Sequence, residues 1–136
     1  MKHIPPEIVE STPEWTQRIE AFQRQHANDT LGTVASQVIY EDERVRIWEM
    51  TLEPGEASAL HHHAHDYYLA ILSGDLIAGV GREDFTVFRI PPAGNTVGVS
   101  HGGTEWAFNI GTQIYREVLF ELKGTGAAEA ANDGSS

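Results

Sequence analysis

Gly55-Glu56-Ala57-Ser58-Ala59-Leu60-His61-His62-His63-Ala64-His65-Asp66-Tyr67, running on to Gly74, is the stretch on which the reading of this chain turns. Four of the seven histidines fall within five residues, shortly after a Pro54-Gly55 turn signal. Side chains along a strand alternate between faces, so His61, His63 and His65 point one way and His62 the other. Two or three imidazoles then converge on one side. Neutral imidazole is the commonest protein metal ligand, and a histidine-rich tract inside a structured segment points to metal binding.

Outward from this stretch the texture is β. From Val34 onward, short β-branched and aromatic runs are separated by Gly, Pro and Asp, the pattern of an all-β sandwich or barrel. It predicts nine strands, over 35–41, 45–52, 59–63, 67–73, 76–80, 86–90, 96–99, 105–109 and 114–122. In the last of these, Ile114, Arg116, Val118, Phe120 and Leu122 alternate with Tyr115, Glu117, Leu119 and Glu121, and both sets contain apolar residues, so the pattern leaves the inward face open. Upstream, Thr12 as N-cap, Pro13 at the first helical position and Glu14 near the positive end start a helix. Trp15, Ile19 and Phe22 give it an apolar face, and it is expected to end near Asn28. Residues 1–33 are thus read as an arm and helix, 34–123 as the barrel, and 124–136, rich in Gly, Ala, Asn and Ser, as a disordered tail.

Composition narrows the function. The 136 residues suit one domain with a single sizeable core. Nine Lys and Arg against twenty Asp and Glu give a formal net charge of -11, a surface that repels a phosphate backbone, so nucleic acid is not expected as a partner. No cysteine is present, which removes disulfides, thiolate metal sites and a Cys nucleophile; any metal is held by nitrogen and oxygen. No apolar run has the length to cross a bilayer and the first residues lack the pattern of a secretion signal, so no membrane association and a cytoplasmic location are expected.

The spacing Gly55, five residues, His61, one residue, His63, three residues, Tyr67, six residues, Gly74 resembles the first motif of the cupin superfamily: a glycine, an His-x-His pair, a glutamate and a second glycine. The resemblance implies a small single-domain cupin, an all-β double-stranded β-helix (jelly-roll barrel) with one N-terminal α-helix, and it makes His61 and His63 metal ligands. Tyr67 stands where the family has its glutamate. For the second motif two registers compete. One opens on Pro92-Ala93-Gly94 and puts Val97 at the ligand position. The other, which we favour, places Ser100, Gly102, Glu105 and Asn109 at the four motif positions, with Gly111 following, and puts Glu105 where the family has a histidine.

On that register the resemblance implies two histidines and one carboxylate, His61, His63 and Glu105, a set known from non-heme Fe(II) oxygenases that leaves metal positions open to substrate. Fe(II) is favoured; Zn, Ni or Mn suit the same donors. Tyr67, at the vacated ligand position, is the catalytic candidate with Glu105, orienting a substrate or donating a proton. His101 and His65 are rival third ligands, and His62 is read as a surface group. Tyr67 and Tyr68 face opposite sides, so only Tyr67 lines the pocket. Trp48, Trp106, Phe108 and Phe120 are core or interface aromatics. The expected function is a mononuclear metal-dependent enzyme, of oxidoreductase and dioxygenase type, acting on a small molecule in the barrel. A lyase or isomerase on the same barrel and a non-catalytic ligand-binding cupin are the alternatives. Family members are commonly dimers, and a homodimer is expected.

Overall fold

The computed structural model describes residues 6–32, 37–90, 95–99 (backbone only) and 103–125. The expected tail beyond 125, the turn at 91–94 and His101 lie outside these residues.

The first described strand, β1 (Glu7–Val9), precedes helix α1 (Pro13–Gln25). Nine strands follow: β2 (Gln37–Glu41), β3 (Val45–Leu52), β4 (His61–His62), β5 (Asp66–Ser73), β6 (Leu76–Val80), β7 (Phe85–Arg89), β8 (Asn95–Val99), β9 (Thr104–Phe108) and β10 (Tyr115–Leu122). They form two five-stranded sheets, β1-β7-β6-β9-β4 and β2-β3-β10-β5-β8, paired antiparallel throughout. Each of the nine strands read from the sequence is present within about two residues of its expected bounds; β1, which pairs with β7, has too short an apolar run to signal itself.

Helix α1 starts as its sequence dictates. The Thr12 hydroxyl oxygen accepts the Trp15 N–H at 3.1 Å, and Pro13 opens the first turn. It stops at Gln25, three residues before the expected end, where His26 leaves helical geometry. The helix buries Ile19 and Phe22 against Leu60, Ala78, Val80, Val87, Trp106 and Phe108, on the outer face of the first sheet. A second cluster, with Trp48, Met50, Leu52, Ile71, Ile77, Tyr115 and Leu119, fills the space between the sheets.

Strand β10 runs between β3 and β5, and its partners settle the face the sequence left open. Glu117 lies opposite Met50 on one side and Ile71 on the other, so Tyr115, Glu117, Leu119 and Glu121 point inward. Arg116, Val118, Phe120 and Leu122 point outward. Its central place also means that neither edge of this long strand is open to pair with a second copy.

The two motif glycines have backbone reasons. Gly55 (φ +89°) and Gly74 (φ +129°) occupy conformations that L side chains rarely adopt, and a Cβ on Gly74 would lie 3.0 Å from the Tyr115 ring. Asn109, fully buried, ties the Gly55 turn to the end of β9. Its amide donates to the Leu52 and Gln113 carbonyls, both at 2.9 Å, its oxygen accepts the Gly111 N–H, and its backbone pairs with Gly55 and Glu56.

Candidate metal centre

Strand pairing brings the donors together. In the β4–β9 register His61 sits directly opposite Glu105, so both side chains leave the same face, and His63 N–H donates to the Gly103 carbonyl to continue the pairing. His61, His63 and Glu105 each offer a ligand atom, all within 4.8 Å of one another, and among the described residues they are the one such group. Donors ~2.1 Å from a common ion stand about 3 Å apart at a right angle and about 4.2 Å apart in line, so small side-chain rotations close the set. Gly79, opposite Ala107 on the neighbouring strand, makes room for the acid: a Cβ there would come within 3.1 Å of Glu105 Oε1.

The donor chemistry fits a divalent ion. His61 Nδ1 lies 2.9 Å from the Ala59 carbonyl; a carbonyl can only accept, so Nδ1 carries the proton and Nε2 keeps its lone pair for a metal. Burial pushes the His61 imidazole down, the Ala59 hydrogen bond partly opposing it. Burial, helped by the neighbouring His61 and His62, takes His63 down to about 3, so the ring is neutral across physiological pH and needs no proton removed before it ligates. Glu105 is pushed up by burial and by Asp84, and a cation would reverse this.

Tyr67 closes the site from the opposite sheet. Its ring stacks on His63, centroids 4.0 Å apart and 20° between planes. Burial, then Glu105 and Glu117, raise its phenol far above the ordinary range, so it remains a neutral O–H donor. Tyr67 is 6 % exposed and Tyr68 54 %, as the alternation of faces requires.

The remaining histidines separate. His62 faces out, its Nδ1 2.8 Å from the Thr104 hydroxyl. His65 is buried but stands apart from the triad, accepting the Gly124 N–H at 3.2 Å with Nε2 3.8 Å from Glu121. It shares the buried side with His61 and His63, as alternation predicts, but lies against the second sheet because the chain leaves the first sheet after His62 and enters the second at Asp66. Sequence reasoning missed Glu117 and Tyr115. The Tyr115 hydroxyl donates to Glu117 Oε1 at 2.5 Å, and both line the cavity beside the donors. Burial lifts Glu117 to about 7, with Tyr115 opposing and Glu105 adding to the shift, and burial and Glu117 hold Tyr115 well above the ordinary phenol range. The strict alternation of 115, 117, 119 and 121 was a usable signal, but only a known strand partner fixes its sense.

Two antiparallel sheets closed on an internal set of nitrogen and oxygen donors make a β-barrel with a candidate metal site. Solved structures give that barrel its name. The chain is similar to a cupin domain from Bordetella pertussis Tohama I, 20 % identical over 68 % of this chain and 100 % of that one, with a TM-score of 0.60. A conserved protein with a double-stranded β-helix domain from Klebsiella pneumoniae is 20 % identical over 77 % and 90 % of the two chains, TM-score 0.55. A cupin family protein from Methanocaldococcus jannaschii is 16 % identical over 74 % and 99 %, TM-score 0.51. No family model and no curated protein matches the sequence. The fold is the cupin double-stranded β-helix, and among the described residues no helix is long and apolar enough to cross a membrane.

Proposed function

We propose that this protein is a mononuclear divalent-metal enzyme that transforms a small organic molecule inside the barrel. The observation that carries this reading is the convergence of His61, His63 and Glu105, of which His63 and Glu105 line the barrel cavity and His61 a smaller pocket that shares them. Three protein donors leave coordination positions for a substrate oxygen, and a bound divalent ion supplies Lewis-acid polarisation of that oxygen. The two-histidine, one-carboxylate set favours Fe(II) and an oxidoreductase of dioxygenase type.

The chain's own residues have distinct tasks. The His61–Ala59 hydrogen bond fixes one imidazole's tautomer. The Tyr67 ring holds His63 in place by stacking and its hydroxyl is offered as the donor that orients a substrate oxygen or returns a proton. The apolar walls exclude water, which strengthens each of these interactions.

Elemental analysis tests the site. Wild type is expected to carry close to one equivalent of metal, and Glu105→Gln and His63→Ala to lose it at least about tenfold while keeping the circular dichroism of the barrel. Unchanged stoichiometry in both variants overturns the ligand set. An oxygen electrode tests the reaction: dioxygen uptake with a diketone or catechol-like substrate supports the dioxygenase, whereas turnover without uptake supports the lyase or isomerase reading. A second copy is the partner we propose for the exposed outer face of the second sheet, where Tyr40, Ile47, Phe120 and Tyr68 form a row across four strands.

A further inference from the structure

The barrel cavity has a volume of about 220 Å³, below the ~300–1,000 Å³ typical of drug-sized ligands, so a compact molecule fits it. Leu69, Ile71, Ile77, Phe88 and Ile90 supply its apolar wall. Among the described residues its ionisable lining consists of His63, Tyr67, Glu105, Tyr115 and Glu117. None of these is a permanent cation, and two are acids.

Five of the chain's nine Lys and Arg side chains have partners elsewhere. Arg46 reaches Glu41 and Glu121, Lys123 reaches Glu41, Arg82 caps the Ala27 and Asp29 carbonyls, Arg89 meets Glu7 and Arg18 meets the Ile110 carbonyl. Lys2 lies outside the described residues, and among the described residues no Lys or Arg lines the cavity. A divalent ion held by Glu105 leaves at most one positive charge to be balanced, because Glu117 lines the same cavity. A ligand that becomes singly negative at the metal uses it up; a second negative group would be buried beside Glu117 with nothing opposite it.

We infer that the cavity selects an uncharged, compact and mainly apolar molecule carrying one or two hydroxyl or carbonyl oxygens, and rejects dicarboxylates and phosphate esters of the same size. This rests on the metal-enzyme reading above and narrows its substrate class. A ligand oxygen turned toward the inner wall meets the Tyr115–Glu117 pair.

The test uses the full chain, with bound metal measured on the same samples. Cyclohexanone and succinate, similar in size and opposite in charge character, are titrated by calorimetry, and methyl NMR of isoleucine-labelled protein locates the ligand. Cyclohexanone is expected to bind at least about thirtyfold more tightly than succinate. The methyl shifts of Ile71, Ile77 and Ile90 are expected to move while those of exposed Ile8 and Ile39 stay still. Succinate binding as tightly as the ketone overturns the inference. So does absence of ketone binding at about 10 mM, or shifts confined to the exposed isoleucines. Metal-free protein that still ranks the ketone first upholds the cavity's selectivity while sinking the enzyme reading, so the two failures are told apart.

Discussion

The first sheet has a different core on each face. Against α1 it presents Ala78, Val80, Val87, Trp106 and Phe108, which pack with Ile19 and Phe22 into a cluster of aliphatic and aromatic side chains. Against the second sheet it presents Glu105 and Ala107 from the same strand, and there the apolar side chains share their space with two histidines, two acids and a cavity. Alternation along β9 sends Trp106 and Phe108 to one core and Glu105 to the other. A strand whose outer side chains are anchored can hold an energetically costly carboxylate on its inner face. The helix-side cluster fixes the structure, and the barrel interior gives up stability to hold buried ionisable groups.

Breaking the helix-side cluster is expected to have the largest effect. Trp106→Ala removes a fully buried ring and the hydrogen bond its Nε1 donates to Asp29 at 3.1 Å, and should destabilise the protein by about 3–5 kcal/mol in chemical denaturation. Metal per folded molecule should stay unchanged; a matching loss of metal would show that the two cores are not separable. The interior should instead reveal itself through pH. In metal-free protein Glu117 is held near 7 by burial against an ordinary value of 4.5, so the folded state keeps a proton that the unfolded chain releases between those values. Stability from this group is therefore complete below about 4.5 and declines as pH rises through about 7, by on the order of 3 kcal/mol. Glu117→Gln should remove that slope, read as the difference between variant and wild-type denaturation midpoints at pH 5 and pH 8. The opposite sign is expected from His63, whose depressed value makes metal-free protein less stable as pH falls below 6.5 toward 3. The mildest change sharpens the contrast from the helix side: Thr12→Ala deletes the N-cap and should cost about 1 kcal/mol without altering metal content or the pH slope.

Much of this arrangement was legible in the sequence. Gly55 and Gly74 frame the histidines because the backbone there takes positive φ, and that requirement is visible as residue identity. Glu105 was singled out by the cupin-like motif register that keeps Gly102, Asn109 and Gly111 in place, and strand pairing sets it opposite His61. What stayed hidden depends on partners distant in the chain. Glu117 looks like a solvated acid until Met50 and Ile71 are seen on either side of it. His65 shares the parity of His61 and His63 but follows a corner between sheets, which residue types alone do not mark. The cavity itself is shaped in part by Gly79, a gap that only its neighbour Glu105 explains.

The buried amide of Asn109 has one more implication. A slide of β9 by a single position would turn Trp106 into the barrel and throw the acid out toward the helix, and the five hydrogen bonds at Asn109 work as a pawl against that slide. Because the pawl sits downstream of the donor and shares no atoms with it, the donor can be exchanged without disturbing alignment. A change at position 105 can thus alter the donor set while the strand that presents it stays where it was.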